Sequence, residues 1–167
     1  GWQSRDIGTS LTVVGVASAL AQGGVIRMAI PRLGERRAII VGNVISAAGF
    51  IGFGLATRSW MMYAITFPFA LGGLAGPSLR SMISQQVPAT EQGQLHGSLS
   101  SLQSLTAVFG PLLGTALFAQ FAPSTARIHI PGAPWFAAAA FHVVGIVLAL
   151  RLFARVPEAT SSPSSPA

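Results

Sequence analysis

Pro31-Arg32-Leu33-Gly34-Glu35-Arg36-Arg37 runs straight into Ala38-Ile39-Ile40-Val41-Gly42-Asn43-Val44-Ile45-Ser46-Ala47-Ala48-Gly49-Phe50-Ile51-Gly52-Phe53-Gly54-Leu55. A cluster of charges is followed by 18 residues with no ionisable side chain. A helix needs about 20 mostly apolar residues to cross the hydrocarbon core of a bilayer, so this stretch reads as a membrane span entered from a charged turn. The same grammar recurs on both sides. Segments of spanning length run over about 7–30, 38–57, 60–84, 94–121 and 132–154, separated by charged or turn-rich breaks at 31–37, Thr57-Arg58-Ser59, Gln85 to Gln92 and Ala122 to Gly132. The sequence therefore predicts an all-α membrane protein with five transmembrane helices in residues 1–155 and a disordered tail of small, polar and Pro residues at 156–167.

The composition supports that class. Of 167 residues, 51% are hydrophobic and 8% charged, with a mean hydropathy of +0.61, whereas soluble domains carry about 25% charged residues. The cationic complement is ten Arg and no Lys, for a net charge of +6. Those Arg residues stand singly or in short clusters between apolar runs, the pattern of membrane-flanking loops and not of a phosphate-binding stripe, which argues against a nucleic-acid partner. There is no Cys, hence no disulfide framework and no thiolate chemistry. Three dispersed His residues make no metal site, and no Ser/His/Asp or paired-carboxylate constellation points to an enzyme. The Gly-rich run Leu71-Gly72-Gly73-Leu74-Ala75-Gly76-Pro77 lies in a span and lacks the Lys of a phosphate loop. No cofactor is expected.

Five antiparallel spans put alternate loops on opposite faces. One face receives Arg27, Arg32, Arg36, Arg37, Arg80, Arg151 and Arg155; the other receives Arg5, Arg58 and Arg127. The positive-inside rule makes the first face cytoplasmic and with it the tail, in a cell inner membrane. The opening Gly1-Trp2-Gln3-Ser4-Arg5-Asp6 has neither an initiator Met nor a signal-peptide pattern and reads as the interior of a longer protein. Small residues recur at packing intervals. Gly15, Ala19 and Gly23 in the first span, and Gly97, Ser101, Ser104 and Pro111 in the fourth, read as helix–helix seams.

The charged turn resembles the loop between helices eight and nine of major facilitator superfamily transporters, the second copy of G-x-x-x-D-R-x-G-R-R. Arg32, Gly34, Arg36 and Arg37 carry the match, with Arg27 and Pro31 in place of the first Gly and the Asp. Ala56-Thr57-Arg58-Ser59-Trp60, Ser84-Gln85-Gln86-Val87, Gln92-Gly93-Gln94-Leu95-His96-Gly97-Ser98-Leu99, Ser104-Leu105-Thr106 and Gly110-Pro111-Leu112-Leu113 follow in the order and spacing of the tetracycline efflux branch. The resemblance implies that the five spans are helices eight to twelve, most of the C-terminal six-helix half, whose partner is an N-terminal half outside this sequence. It implies secondary efflux of a small amphipathic drug, tetracycline-like or otherwise, with a proton as coupling ion and the substrate near the bilayer midplane between the halves.

The same resemblance would place a His at Ser18 and an Asp at Ser46, so the proton-linked residues of the family are absent from these positions. What remains is neutral polarity. Ser18 and Gln22 share a face with Thr12 and Gly15, and with Gln103 they are the candidate cavity contacts, since a Gln amide can orient a polyoxygenated ligand. Asn43 reads as a helix–helix bond, His96 as a solvated group at the cytoplasmic mouth, and His142 as part of a peripheral span. Gly110 and Pro111, resembling the repeat partner of the antiporter motif, are candidates for a helix kink. Arg32, Gly34, Arg36 and Glu91 are candidates for a cytoplasmic latch in which an Arg pairs with Glu91. Readings in other classes are a major facilitator transporter of sugars or metabolites and a non-transporting membrane interaction module.

Overall fold

A computed structural model describes residues 4–20, 23, 24, 26–123, 125 and 128–155, and every described regular element is helical. The helices are α1 Ser4–Leu20, α2 Ile26–Leu33, α3 Glu35–Leu55, α4 Ser59–Ala70, α5 Ala75–Ser84, α6 Gln92–Phe121 and α7 Ala133–Arg155. Helix is the required solution here, because a chain in hydrocarbon must satisfy every backbone polar group within the segment itself. Four stretches are long and apolar enough to cross a membrane: α3, the combined 59–84 segment, α6 with its preceding turn, and α7. The span expected at 7–30 is described as α1 and α2, with Gln22 and two neighbours outside the described residues.

Gly34 explains how the charged turn works. Its φ of 77° lies in the left-handed region that a β-carbon disfavours, its N–H donates to Ile30 O at 3.0 Å to close α2, and its own carbonyl accepts from Ala38 N at 3.0 Å to open α3. One glycine ends one helix and starts the next. Glu35 then occupies the first turn of α3, where a carboxylate complements the exposed N–H groups. At the far end, Ala56 and Arg58 are extended, and that short break returns the chain as α4.

The 59–84 segment is one span in two pieces. A 3-10 turn at Leu71–Leu74 separates α4 from α5, with Pro68 one turn before it. The cause is contact. Gly72 lies against α3 so closely that an added β-carbon would collide with Ser46 Oγ, and a β-carbon on Gly42 would come within 2.6 Å of Ala75 N. Gly42, Ser46 and Gly49 thus form the seam on α3 that receives the broken helix, Gly49 facing Phe69. The seams read in the first and fourth spans are not used in this way. Around Gly15, Gly23, Gly97 and Gly110 a β-carbon would meet nothing within 4 Å, so no described helix packs in contact with those positions.

The core centres on α3, which packs against α4, α5 and α7, while α1 lies on α4 and α6 on α7. Ala38, Ile39, Ala47, Leu74 and Ala139 are its buried apolar residues. Phe50 and Phe53 of α3, Phe69 of α4 and Trp135 of α7 interlock, with ring centroids 4.9 to 6.0 Å apart in edge-on and stacked pairs.

Candidate functional site

α6 is the element that distinguishes this bundle from a closed one. It runs 30 residues through Pro111 without interruption, and none of those residues is buried. His96, Ser100, Gln103, Gly110 and Gly114 stand four, three, seven and four residues apart and so share one face, polar toward one end and small toward the other. The hydroxyls near that face bond locally: Ser104 Oγ donates to Ser100 O at 3.0 Å, Thr106 Oγ1 to Gln103 O at 2.8 Å and Thr115 Oγ1 to Pro111 O at 2.7 Å. Such back-bonding keeps hydroxyls satisfied in a helix that faces an apolar or emptied space. Beside it, Thr106, Phe109, Gly110, Leu113 and Phe141 line an open cavity of about 550 Å³ between α6 and α7.

The other cavity candidates are distributed differently. Ser18 is half-buried on α1, whose Thr12 Oγ1 donates to Gly8 O at 2.9 Å, whereas Gln22 lies outside the described residues. Ser18 and Gln103 are therefore on helices that do not pack on one another extensively. Ser46, where the resemblance would put an Asp, is buried in the α3 seam under Gly72 and not in a cavity.

The residues of the charged turn make specific contacts. Arg36 Nη1 donates to Phe153 O at 3.3 Å near the end of α7, and its guanidinium sits 5.3 Å from the centroid of the Phe153 ring. That combines a bond to a terminal helix carbonyl with a cation–π contact. Glu35 faces the other way. Its Oε1 accepts from Ser81 Oγ at 2.5 Å and from Gln85 Nε2 at 2.9 Å, fastening the start of α3 to the end of α5. Arg32 is exposed at the end of α2, and Glu91 is exposed where the 3-10 turn Ala89–Glu91 leads into α6. Between them Gln92 organises the polar connection, its Nε2 donating to Ser84 O at 2.7 Å and Val87 O at 2.9 Å while its Oε1 accepts from Ser84 Oγ at 2.7 Å.

Asn43 makes the helix–helix bond expected of it, and its partner is His142 of α7, at 2.9 Å. Spacing within a chain says nothing of which spans lie together, so this pairing is legible only in the structure. Among the described residues no three side chains gather in a way that could hold a metal ion.

Comparison with known proteins places these features. The family model described as Major Facilitator Superfamily matches residues 1–167. The tetracycline resistance protein of class C from Escherichia coli is 42% identical over 143 residues, 86% of this chain and 35% of that protein. The class E protein from Escherichia coli is 37% identical over 91% of this chain and 36% of its own length, and the class G protein from Vibrio anguillarum 33% over 92% and 38%. The chain thus spans a little over a third of the length of these relatives. No solved structure matches. With its apolar helices, its charged turn and this match along the whole sequence, the chain belongs to the major facilitator superfamily, a multi-pass membrane protein of its tetracycline-resistance branch.

Proposed function

We infer that this chain is helices eight to twelve of a secondary transporter that exports small amphipathic drugs of the tetracycline kind by alternating access, coupled to protons and working with an N-terminal half of the same transporter. The observation that carries this reading is the uncovered face of α6, where Gln103 and Ser100 stand among small residues on a helix with no buried residue. In lipid alone, polar groups are costly and are found where they face other helices or a water-filled cavity. A bundle with a packed α3 core on one side and such a face on the other fits a wall of a central cavity.

The charged turn then lies at the cytoplasmic face of an inner membrane, with the tail on the same side. The bond between Glu35 and Gln85 supports putting the α2–α3 turn and the 85–92 connection together. There Arg32 or Arg36 can meet Glu91 in one conformational state and release it in another.

The test is a chimera. This chain replaces the matching segment of the class C tetracycline resistance protein, and drug accumulation is measured in energised cells. The expected result is lower tetracycline accumulation than with a class C protein lacking the segment. Equal accumulation at matched membrane abundance would reject export of that drug class.

A further inference from the structure

Halfway along the contact between α3 and α7, in the middle of two membrane spans, Asn43 and His142 are joined side chain to side chain. The amide of Asn43 has its orientation fixed, because Nδ2 donates to Ile39 O at 2.9 Å in its own helix. Its Oδ1 is then the atom turned toward α7, 2.9 Å from His142 Nδ1. A carboxamide oxygen only accepts, so Nδ1 must carry a hydrogen. In neutral imidazole that leaves Nε2 with a free lone pair. On the other side Phe50 lies against the ring, with centroids 5.3 Å apart and planes inclined by 32°, and Trp135 stacks on Phe50 at 6.0 Å.

We propose that Asn43, Phe50 and His142 form a proton-binding site within the membrane, in which Nε2 of His142 takes up the proton while Nδ1–H stays bonded to Asn43. Two features suit the arrangement to a cation. The bond from Nδ1–H to Oδ1 survives protonation and becomes charge-assisted. The face of Phe50 is within the range at which an aromatic ring attracts a cation. Uptake of a proton therefore adds a charge between α3 and α7 without breaking what holds them together, unlike a site where the proton and the helix contact compete for one nitrogen.

The charged groups on the elements packed against His142 stand at the helix ends. α3 brings Glu35, Arg36 and Arg37, α7 itself has Arg151 and Arg155, and α6 has His96 near its start. Arg36 is seven residues from Asn43, roughly 10 Å along the helix. These Arg residues oppose a second positive charge, so the site depends on the amide oxygen and the ring for its affinity. The site rests on the geometry of this chain and does not depend on drug export.

The experiment uses the full chain in lipid nanodiscs with ¹⁵N-labelled histidine, and His142→Gln to separate the His142 signals from those of His96 and His129. At alkaline pH the expected spectrum shows Nδ1 protonated and Nε2 bare; on acidification Nε2 gains a proton while Nδ1 keeps its own. Asn43→Leu, of similar volume, should lower the proton affinity about tenfold, one pH unit in the midpoint. An Nε2–H tautomer in the parent chain, or an Nε2 signal that never moves through the acid range, would overturn the site. So would an unchanged midpoint in Asn43→Leu at parental helix content; if that variant fails to insert, the parent spectrum decides alone.

Discussion

Ser46 Oγ fills the space directly beneath Gly72, where a β-carbon would have to stand. The position at which the family resemblance would place an acidic residue is thus a packing contact in this chain, closed by the 3-10 turn of the fourth-to-fifth helix segment. Gly72→Ala should destabilise the bundle by about 1–3 kcal/mol, the usual cost of overpacking a filled core. Combined with Ser46→Ala the loss should be smaller, since the atom in the way is removed. Unfolding in mixed micelles measures both, and equal losses in the single and double variants would show that backbone contact dominates.

Glu35 carries the tie between α3 and α5. Glu35→Ala removes the acceptor shared by Ser81 and Gln85, which at about 1.4 kcal/mol should speed amide exchange near residues 81–85 roughly tenfold. Exchange at the opposite end of the bundle, around Gly54 and Phe136, should be unaffected. A uniform acceleration would mean global and not local loosening.

Arg36→Lys separates charge from shape. The ammonium keeps the favourable interaction with a helix C-terminus but loses the planar stack on Phe153. Arg36→Ala should loosen the last turn of α7 by about 0.5–2 kcal/mol, with Arg36→Lys in between. Hydrogen exchange over residues 150–155 reads the order of the three.

If Arg36 also serves as a latch to Glu91, the two must be coupled in transport. Arg36→Gln and Glu91→Gln in the chimera should each change the initial efflux rate at near-normal abundance, and the double variant should lose less than the sum. Strictly additive losses would leave the two as independent surface charges.

Gln22→Ala and Gln103→Ala in the same chimera should alter the ranking of exported drugs more than they alter protein abundance. The expected shift for loss of one amide contact is about 1 kcal/mol, near fivefold in relative efflux. Identical resistance profiles for variant and parent would remove the residue from the cavity.

Much of the fold was legible because lipid imposes a length and a polarity on every span. The run 38–55 and the charges at 32–37 place α3 to within a few residues, and the position of Gly34 in the charged turn agrees with its left-handed φ. What the sequence could not specify was partnership. Gly15, Ala19 and Gly23 recur every fourth residue and Gly42, Ser46 and Gly49 at four and three, both helix-packing intervals, yet only the second set is pressed against another helix. A periodic stripe states that a face can be approached closely and not by what. For the same reason Asn43 and His142, 99 residues apart, gave no hint of their bond. Nor did the sequence show that Arg36, expected with Arg32 as a candidate partner for Glu91, reaches Phe153 O on α7.

α3 and α7 touch at three heights: Arg36 with Phe153 at one end, Asn43 with His142 midway, and Gly54 with Gly132 and Phe136 at the other. Two rods tied at three levels can neither twist nor slide past each other without breaking several bonds at once. They form a post. Any change of shape in this chain must then be taken up by the parts not so bound, the loosely held α1 and α6, so the stationary and the moving portions are already sorted by how many levels each is tied.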